Sequence, residues 1–360
     1  MKLVKKLLAT ATLGAAMVSG VQADDEIKVG FVYVSPTGDA GWTYSHDNAR
    51  KFVVDQLGKD KVKTTYVESV PEGADAERVI RNMASKGHDL IFTTSFGYMN
   101  PTLKVAKRFP KVKFEHASGY KQSKNVGTYM ARAYQARYLS GLVAGKMTKS
   151  NTIGYVAAFP IPEVIRGINA FTKGVQEVNP DAEVKVVWVS TWYDPAKERE
   201  AAETLILQNA DVLTQHTDSA AVIQTAEAKG VYAIGYHSDM SAYGKKAHLT
   251  SAIHNWGPIY LAKTKAVMNN EWKKEDLWMG IADGVTDIAP LNPAVPADVV
   301  KLVEDKKAAL KAGKIRVFDG PVMDQSGSVK VAKGATMTDG DLKGFDWYVK
   351  GVASKMPSKS

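Results

Sequence analysis

Aromatic, acidic and histidine side chains are concentrated in short segments that each follow an apolar run. The segment GDAGWTYSHD, Gly38–Asp47, follows the run VGFVYV and contains Trp42, Tyr44 and His46. An indole ring offers a face for stacking, a carboxylate accepts hydrogen bonds, and a neutral imidazole both donates and accepts them. Together these residue types favour noncovalent recognition of a flat, polar molecule.

Nine residues of these segments are candidates for contacting a ligand. Trp42 is the first candidate for stacking, and Trp192 occupies the corresponding place in the second half of the chain. The acids are suited to accept hydrogen bonds from an amine or a ring N–H, and the histidines to donate or accept at a ring edge. The nine candidates are Trp42, Trp192, Phe96, Tyr98, Phe159, His116, Asp218, His237 and Asp239.

Each candidate also has a structural interpretation. Trp42 could cap the core of its own lobe, since large aromatic side chains are often buried for packing alone. Of Trp192 and Tyr193, one should face the ligand while the other packs beneath it. Asp218 could be the N-cap of a helix starting near residue 219, and Asp194, which precedes a proline, is expected to cap a helix.

The sequence favours a binding protein over an enzyme. His46, His116, His216 and His237 all fall at predicted strand ends, but no H-x-x-x-H or H-E-x-x-H spacing indicates a metal site. The chain has no cysteine, no G-x-S-x-G motif, no P-loop and no G-x-G-x-x-G after a strand. We therefore predict no catalysis, no cofactor and no metal.

Alternating strands and helices must position these segments. Apolar runs over 28–34 and 89–95 predict buried parallel strands, and residues 46–57 have helical spacing with Gly58 as the stop. Strand, helix and strand repeat along the chain, which predicts an α/β protein with open parallel sheets covered on both faces.

The pattern starts again near residue 150. An apolar strand, a proline-containing loop and an amphipathic helix over 152–180 resemble the first such unit, so we predict two similar α/β lobes. Ligands of open parallel sheets bind beyond the carboxyl ends of the strands, and the aromatic-rich segments lie there. Two facing lobes with aromatic rims would form a cleft that closes over a flat molecule.

The first residues predict export. MKLVKK is basic, the following apolar run is shorter than the roughly 20 residues of a spanning helix, and small residues precede Asp24. We predict a cleaved signal peptide over 1–23, no lipid anchor because no cysteine follows, and a periplasmic mature protein. The net charge of +9 is spread among acids, and no nucleic-acid-binding motif is present.

Three long stretches resemble one known family. They are NVGTYMARAYQARYLSGLVAGKMTKSNTIGYV, NAFTKGVQEVNPDAEVKVVWVSTWYDPAKEREAAETLILQNADVL and AAVIQTAEAKGVYAIGYHSD. The chain resembles the basic-membrane-protein family of ABC-transporter substrate-binding proteins, which are PnrA-like purine nucleoside receptors. The resemblance implies a type I periplasmic-binding-protein fold with three crossings between lobes. It places residues 24–148 and about 255–282 in the N-terminal lobe, and 149–254 and about 283–350 in the C-terminal lobe.

The resemblance also implies a function. It predicts a monomeric receptor that captures a purine in the cleft and delivers it to an ABC permease in the inner membrane. In this chain Trp42 keeps the first-loop aromatic, but His237 stands where many members have an acid that helps to hold ribose. This difference favours a free nucleobase over a nucleoside. The first loop, GWTYSHD, resembles those of members that look like nucleobase binders, and this resemblance implies adenine ahead of hypoxanthine or guanine. A nucleoside receptor and a sensory binding protein remain alternatives.

Overall fold

The computed structural model describes residues 26–357, and the predicted signal peptide (1–23) lies outside them. Within 26–357, no helix is both long and apolar enough to cross a membrane. The described chain forms two six-stranded sheets and a separate two-stranded ribbon. Helices pack against both large sheets, so the prediction of an α/β protein with two similar lobes is confirmed.

The first lobe is an entirely parallel sheet with strand order β11-β5-β4-β3-β1-β2. Its four inner strands are largely buried, which is typical of a sheet covered on both faces, whereas the two edge strands are partly exposed. The elements of this lobe are β1 (Ile27–Val32), α1 (Gly41–Leu57), β2 (Val62–Val67), α2 (Ala74–Ser85), β3 (Leu90–Thr93), α3 (Met99–Arg108), β4 (Lys113–Ala117), β5 (Val126–Ala131), α8 (Gly257–Met268) and β11 (Asp276–Met279).

The second lobe repeats the arrangement with strand order β12-β10-β9-β8-β6-β7, in which β12 alone is antiparallel. Its elements are α4 (Ala133–Met147), β6 (Thr152–Ala157), α5 (Pro162–Val178), β7 (Glu183–Trp188), α6 (Pro195–Leu207), β8 (Val212–His216), α7 (Ala221–Lys229), β9 (Tyr232–His237), β10 (His248–His254), β12 (Thr286–Ile288) and α9 (Ala297–Lys311). The ribbon of β13 (Val322–Met323) and β14 (Val329–Val331) follows, with α10 (Asp339–Lys343) near the end. Short 3-10 helices cover Phe96–Tyr98 and Ser241–Tyr243.

The chain passes between the lobes three times: before α4, before α8 and before β12. The first crossing differs from the boundary expected at residue 148, because α4 packs against α5 and β10 of the second lobe. The two helices touch backbone to backbone: a Cβ added to Gly141 would lie 2.1 Å from the carbonyl oxygen of Phe171. Nearly every residue of α4 is buried, so no polar face identifies the lobe to which it belongs.

A cluster of aromatic rings lies beneath the region where the lobes meet. Phe92 stacks on Tyr260 with ring centroids 4.0 Å apart, and the hydroxyl oxygens of Tyr260 and Tyr129 are 2.8 Å apart. Trp256, at the second crossing, is almost fully buried and packs edge-on against Tyr129. The first turn of α1 rests on this cluster, which fixes the position of the side chains above it.

Candidate ligand-binding site

The carboxyl ends of strands from both sheets face each other across a cavity between the lobes. The cavity contains about 330 Å³ of empty space, part of it open to solvent. β1, β3 and β4 contribute from the first lobe, and β7, β8, β9 and the start of α5 from the second, which is where open parallel sheets bind ligands. The lining residues are Val34, Trp42, Ser95, Phe96, Ser118, Glu163, Trp192, His216, Asp218 and His237.

Trp42 lies in the first turn of α1, because the helix begins at Gly41 rather than near His46. Its Nε1 donates to the carbonyl oxygen of Thr94 at 2.5 Å, and its ring packs edge-on against His46 and Trp256 with centroids 4.3 and 5.6 Å apart. Only 8% of Trp42 is exposed. Trp42 therefore belongs both to the cavity wall and to the core, and we expect its removal to affect stability as well as any ligand.

Trp192 forms the opposing aromatic wall from the second lobe. Its ring lies edge-on to Phe159, with centroids 5.0 Å apart, and its Nε1 lies 3.3 Å from Oε1 of Glu72 in the first lobe. The neighbouring Tyr193 is 41% exposed and does not line the cavity. Phe96, at the start of a 3-10 helix, completes the wall of the first lobe.

Asp218 is the acid at the centre of the contact between lobes. Its Oδ2 accepts from Ser35 Oγ at 3.0 Å, its Oδ1 lies 3.6 Å from His237 Nε2, and its carboxylate also accepts from the backbone N–H of Trp42. Burial raises the pKa of Asp218 to about 8, while the hydrogen bond from Ser35 opposes the rise. The group therefore holds a proton near neutral pH, when it can donate as well as accept hydrogen bonds.

The structure does not show Asp218 as the N-cap of α7, which was its alternative interpretation. The N-cap residue of α7 is Ala220, without a side-chain cap, whereas Asp218 lies at the N-terminus of α1 in the opposite lobe. Gly41, with φ of 93°, fits directly on this residue: a Cβ would lie 2.1 Å from the carbonyl oxygen of Asp218. By contrast, Asp194 caps α6 through two backbone N–H groups, as its sequence context indicates.

Three histidine rings lie close together at the end of the second sheet, and one of them, His237, lies beside the Asp218 carboxyl group. The His237 ring centroid lies 5.6 Å from that of His216 and 5.3 Å from that of His254, and 5.1 Å from that of Trp42. Burial lowers the pKa of all three imidazoles, that of His254 to about 3, so all are neutral near pH 7. A neutral imidazole has one donor and one acceptor, so the cavity edge offers both.

The buried cation Arg137 lies behind the histidines. Its guanidinium lies 3.4 Å from the ring centroid of Tyr236, and it donates to Thr214 Oγ1 at 3.1 Å and to the carbonyl oxygen of Gln215. Its positive charge further lowers the pKa values of His216 and His254. Arg137 thus helps to keep the cavity edge uncharged.

Several lining residues were not among the nine candidates. Glu163, in the first turn of α5, has a pKa raised by burial and accepts from Ser118 across the cavity. His216 ends β8, and Ser95 follows β3. Position at a strand end was the available signal for His216 and Ser95. Glu163 had none, because acids are common in the first turn of any helix.

Of the nine candidates, the structure brings Trp42, Phe96, Trp192, Asp218 and His237 together and leaves four outside the cavity. Tyr98 is fully buried, and its hydroxyl donates to the carbonyl oxygen of Val70. His116 is buried against Thr93, and Phe159 supports Trp192 from an outer groove. Asp239 points away, with a side chain 47% exposed that accepts from the backbone N–H of Ser241.

A profile of one family matches most of the chain. The family is described as ABC transporter substrate-binding protein PnrA-like, and the match covers residues 26–319. The chain belongs to this family. The family predicted from the sequence motifs is thereby confirmed.

Individual relatives agree with the family and the fold. A purine-binding protein of Brucella abortus is 49% identical over 348 residues, covering 96% of this chain and 99% of that protein. A Haloferax volcanii protein named for glucose binding in ABC transport is 39% identical, covering 85% of this chain and 77% of that one. A solved solute-binding protein of an ABC transporter from Aeropyrum pernix superposes with a TM-score of 0.71 at 21% identity, over 82% of this chain and 94% of that one. The type I periplasmic-binding-protein fold is confirmed.

Proposed function

We propose that this protein is the periplasmic receptor of an ABC importer and captures a purine nucleobase, adenine in preference to other bases, between its lobes. The observation that carries the proposal is the cavity itself. Trp42 and Phe96 form an aromatic wall from one lobe and Trp192 from the other, and uncharged polar groups lie at the edge. The purine-binding name of the Brucella abortus relative supports the same ligand class.

The aromatic walls suit a flat heterocycle. Stacking of a base on an aromatic side chain contributes roughly 1–3 kcal/mol and requires no particular substituent. Rings on both sides, from Trp42 in α1 and Trp192 after β7, would make the stacking energy depend on closure of the lobes. A purine would therefore stabilise the closed form through contacts that an open cleft does not offer.

The polar edge favours adenine. Adenine presents an amino donor and the N7 acceptor side by side, whereas guanine presents two acceptors, O6 and N7, on the same edge. Asp218, protonated near neutral pH, offers one donor and one acceptor, the pattern that an amide side chain uses to bind adenine. Neutral His216 and His237 extend this mixed pattern without a fixed charge.

The size of the cavity favours a base over a nucleoside. The cavity has only about 330 Å³ of empty space, and this includes the part that is open to solvent. Ribose would add hydroxyl groups that require partners, and an unpaired buried polar group costs about 1–3 kcal/mol. His237, whose ring centroid lies 3.6 Å from that of Tyr236, stands where many relatives have an acid that helps to hold ribose.

In transport, the receptor does no chemistry on its ligand. The open cleft binds the base, the lobes rotate about the three crossings, and the closed form docks on a permease in the inner membrane. In this proposal the protein acts as an exported monomer without cofactor or metal. A sensory protein that presents the ligand to a membrane receptor would use the same cleft.

The proposal is tested by identifying the small molecule that co-purifies with the protein, by mass spectrometry, and by calorimetry on stripped protein. The titrated set is adenine, hypoxanthine, guanine, adenosine, guanosine and, because of the Haloferax volcanii relative, glucose. We expect adenine to bind most tightly. Glucose binding with no purine affinity would overturn the proposal, and nucleosides binding as tightly as bases would replace the nucleobase with a nucleoside.

A further inference from the structure

Glu72 contacts two lining residues of the cavity, and the backbone of a neighbouring glycine, through one carboxylate oxygen. Its Oε1 accepts from Ser95 Oγ at 2.5 Å, from the backbone N–H of Gly97 at 2.9 Å and from Trp192 Nε1 at 3.3 Å. Ser95 and Gly97 belong to the first lobe with Glu72, and Trp192 belongs to the second. Oε1 of Glu72 therefore holds residues of the first lobe in place and also contacts Trp192 in the wall of the second lobe.

The chain makes room for this carboxylate. A Cβ at Gly97 would lie 2.3 Å from Glu72 Cδ, so a larger residue at 97 would displace the acid. The two hydrogen bonds within the first lobe hold Oε1 in place whether or not the second lobe is near. The acceptor is thus fixed before Trp192 arrives, which reduces the loss of side-chain entropy on forming the contact.

The contact with Trp192 joins the two lobes, so separation of the lobes would break it. An indole N–H can only donate a hydrogen bond and an ionised carboxylate can only accept one, so Trp192 is the donor and Glu72 the acceptor. Hydrogen bonds to ionised acceptors are stronger than those between neutral groups. We propose that Glu72 is a latch between the lobes that holds the Trp192 ring in its stacking position and retains the ligand by slowing reopening.

Glu72 is a positioning residue, and its role as a latch deepens the proposed function. Only the effect of the latch on purine release rests on that function. Its effect on closure needs no ligand. Glu72→Ala should therefore lower the ratio of closed to open protein with or without purine, and should raise the dissociation rate while leaving the association rate unchanged. A residue that merely supported the fold would instead lower the melting temperature or the fraction of active protein.

Closure is measured between spin labels on Lys107→Cys in α3 and Glu200→Cys in α6, one in each lobe. The chain has no cysteine, so labels attach at these sites alone. We expect Glu72→Ala to reduce the closed-to-open ratio about three- to tenfold, the effect of one hydrogen bond to a charged group that solvent reaches. The matched control is Glu68→Ala, since among the described residues Glu68 accepts from the backbone N–H of Thr37, which lies in its own lobe.

A double-mutant cycle then tests whether Glu72 acts through Trp192. Trp192→Phe keeps an aromatic ring but removes the Nε1 donor. Dissociation rates of adenine should show coupling between Glu72→Ala and Trp192→Phe and additivity between Glu68→Ala and Trp192→Phe. Equal distance distributions for the Glu72 and Glu68 variants would overturn the latch. If wild-type protein binds no purine, the proposed function fails while the distance measurement still decides the latch.

Discussion

Replacing Asp218 by Asn should change how stability depends on pH. The Asp218 side chain is buried between the lobes, beside Ser35, the first turn of α1 and His237. Burial raises its pKa from 3.8 to about 8, and the negative charge of Glu198 contributes to the rise. An amide has the donor and acceptor of a protonated carboxyl group but does not titrate, so Asn mimics the form that the fold favours.

The sign of the effect follows from proton binding. Between the pKa of the unfolded chain and that of the folded protein, the folded protein holds a proton at Asp218 that the unfolded chain has lost. Wild-type stability therefore falls as pH rises through this window, by at most about 1.4 kcal/mol per pH unit from this group. The unfolding free energy of Asp218→Asn, relative to that of wild type, should therefore rise by about 2–3 kcal/mol between about pH 5 and pH 7.

The assay is chemical unfolding of both proteins at several pH values across this window, with the difference in unfolding free energy plotted against pH. The control is Asp341→Asn, whose hydrogen bonds with Thr338 lower the pKa of Asp341, so its difference from wild type should stay flat above about pH 5. A flat difference for Asp218→Asn, or one that favours wild type as pH rises, would refute the assignment of a protonated carboxyl group.

Three further predictions concern the cavity. Trp42→Ala should weaken purine binding by roughly 1–3 kcal/mol and, because Trp42 is buried, lower the unfolding free energy by about 3–5 kcal/mol; calorimetry and urea titration separate the two. Gly41→Ala should lower purine affinity about tenfold or more, since its Cβ would collide with Asp218 and prevent closure, whereas Gly38→Ala, with no atom within 4 Å, should not. Adenine should bind about tenfold or more tightly than adenosine in competition titrations, and equal affinities would contradict the claim that the cavity excludes ribose.

The two lobes, and the end of the sheets at which the site lies, can be predicted from local sequence patterns. Buried strands such as β1 and β3 are continuous apolar runs, and the loops at their carboxyl ends carry the aromatic and acidic residues. A chain-wide repeat of strand and helix is sufficient to predict two parallel sheets. Which loop residues face the cleft depends instead on packing: Tyr98 and Phe96 are two positions apart, yet only Phe96 lines the cavity.

The start of α1 illustrates what local sequence cannot reveal. Helix starts are usually recognised by a capping Ser, Thr, Asp or Asn, but the N-cap residue of α1 is Ala40, without a side-chain cap. The groups that satisfy its first N–H groups come from the other lobe: Asp218 accepts from Trp42, and Ser238 Oγ accepts from Gly41 at 3.1 Å. No pattern within residues 38–47 identifies partners so distant in sequence, so the segment has the appearance of a loop.

The proposed function requires that ligand binding and closure be coupled, and the buried histidines provide a physical reason for such coupling. Nδ1 of His216 and Nδ1 of His237 are buried and have no hydrogen-bond partner among the described residues. His237 also has a φ of 68°, a left-handed conformation that costs a non-glycine residue roughly 1 kcal/mol or more. Of these two costs, the one borne by the unpaired nitrogen atoms opposes closure, since opening would let water reach them. A ligand whose edge pairs with them removes part of this cost only in the closed form, so the groups that select the ligand also make closure depend on it.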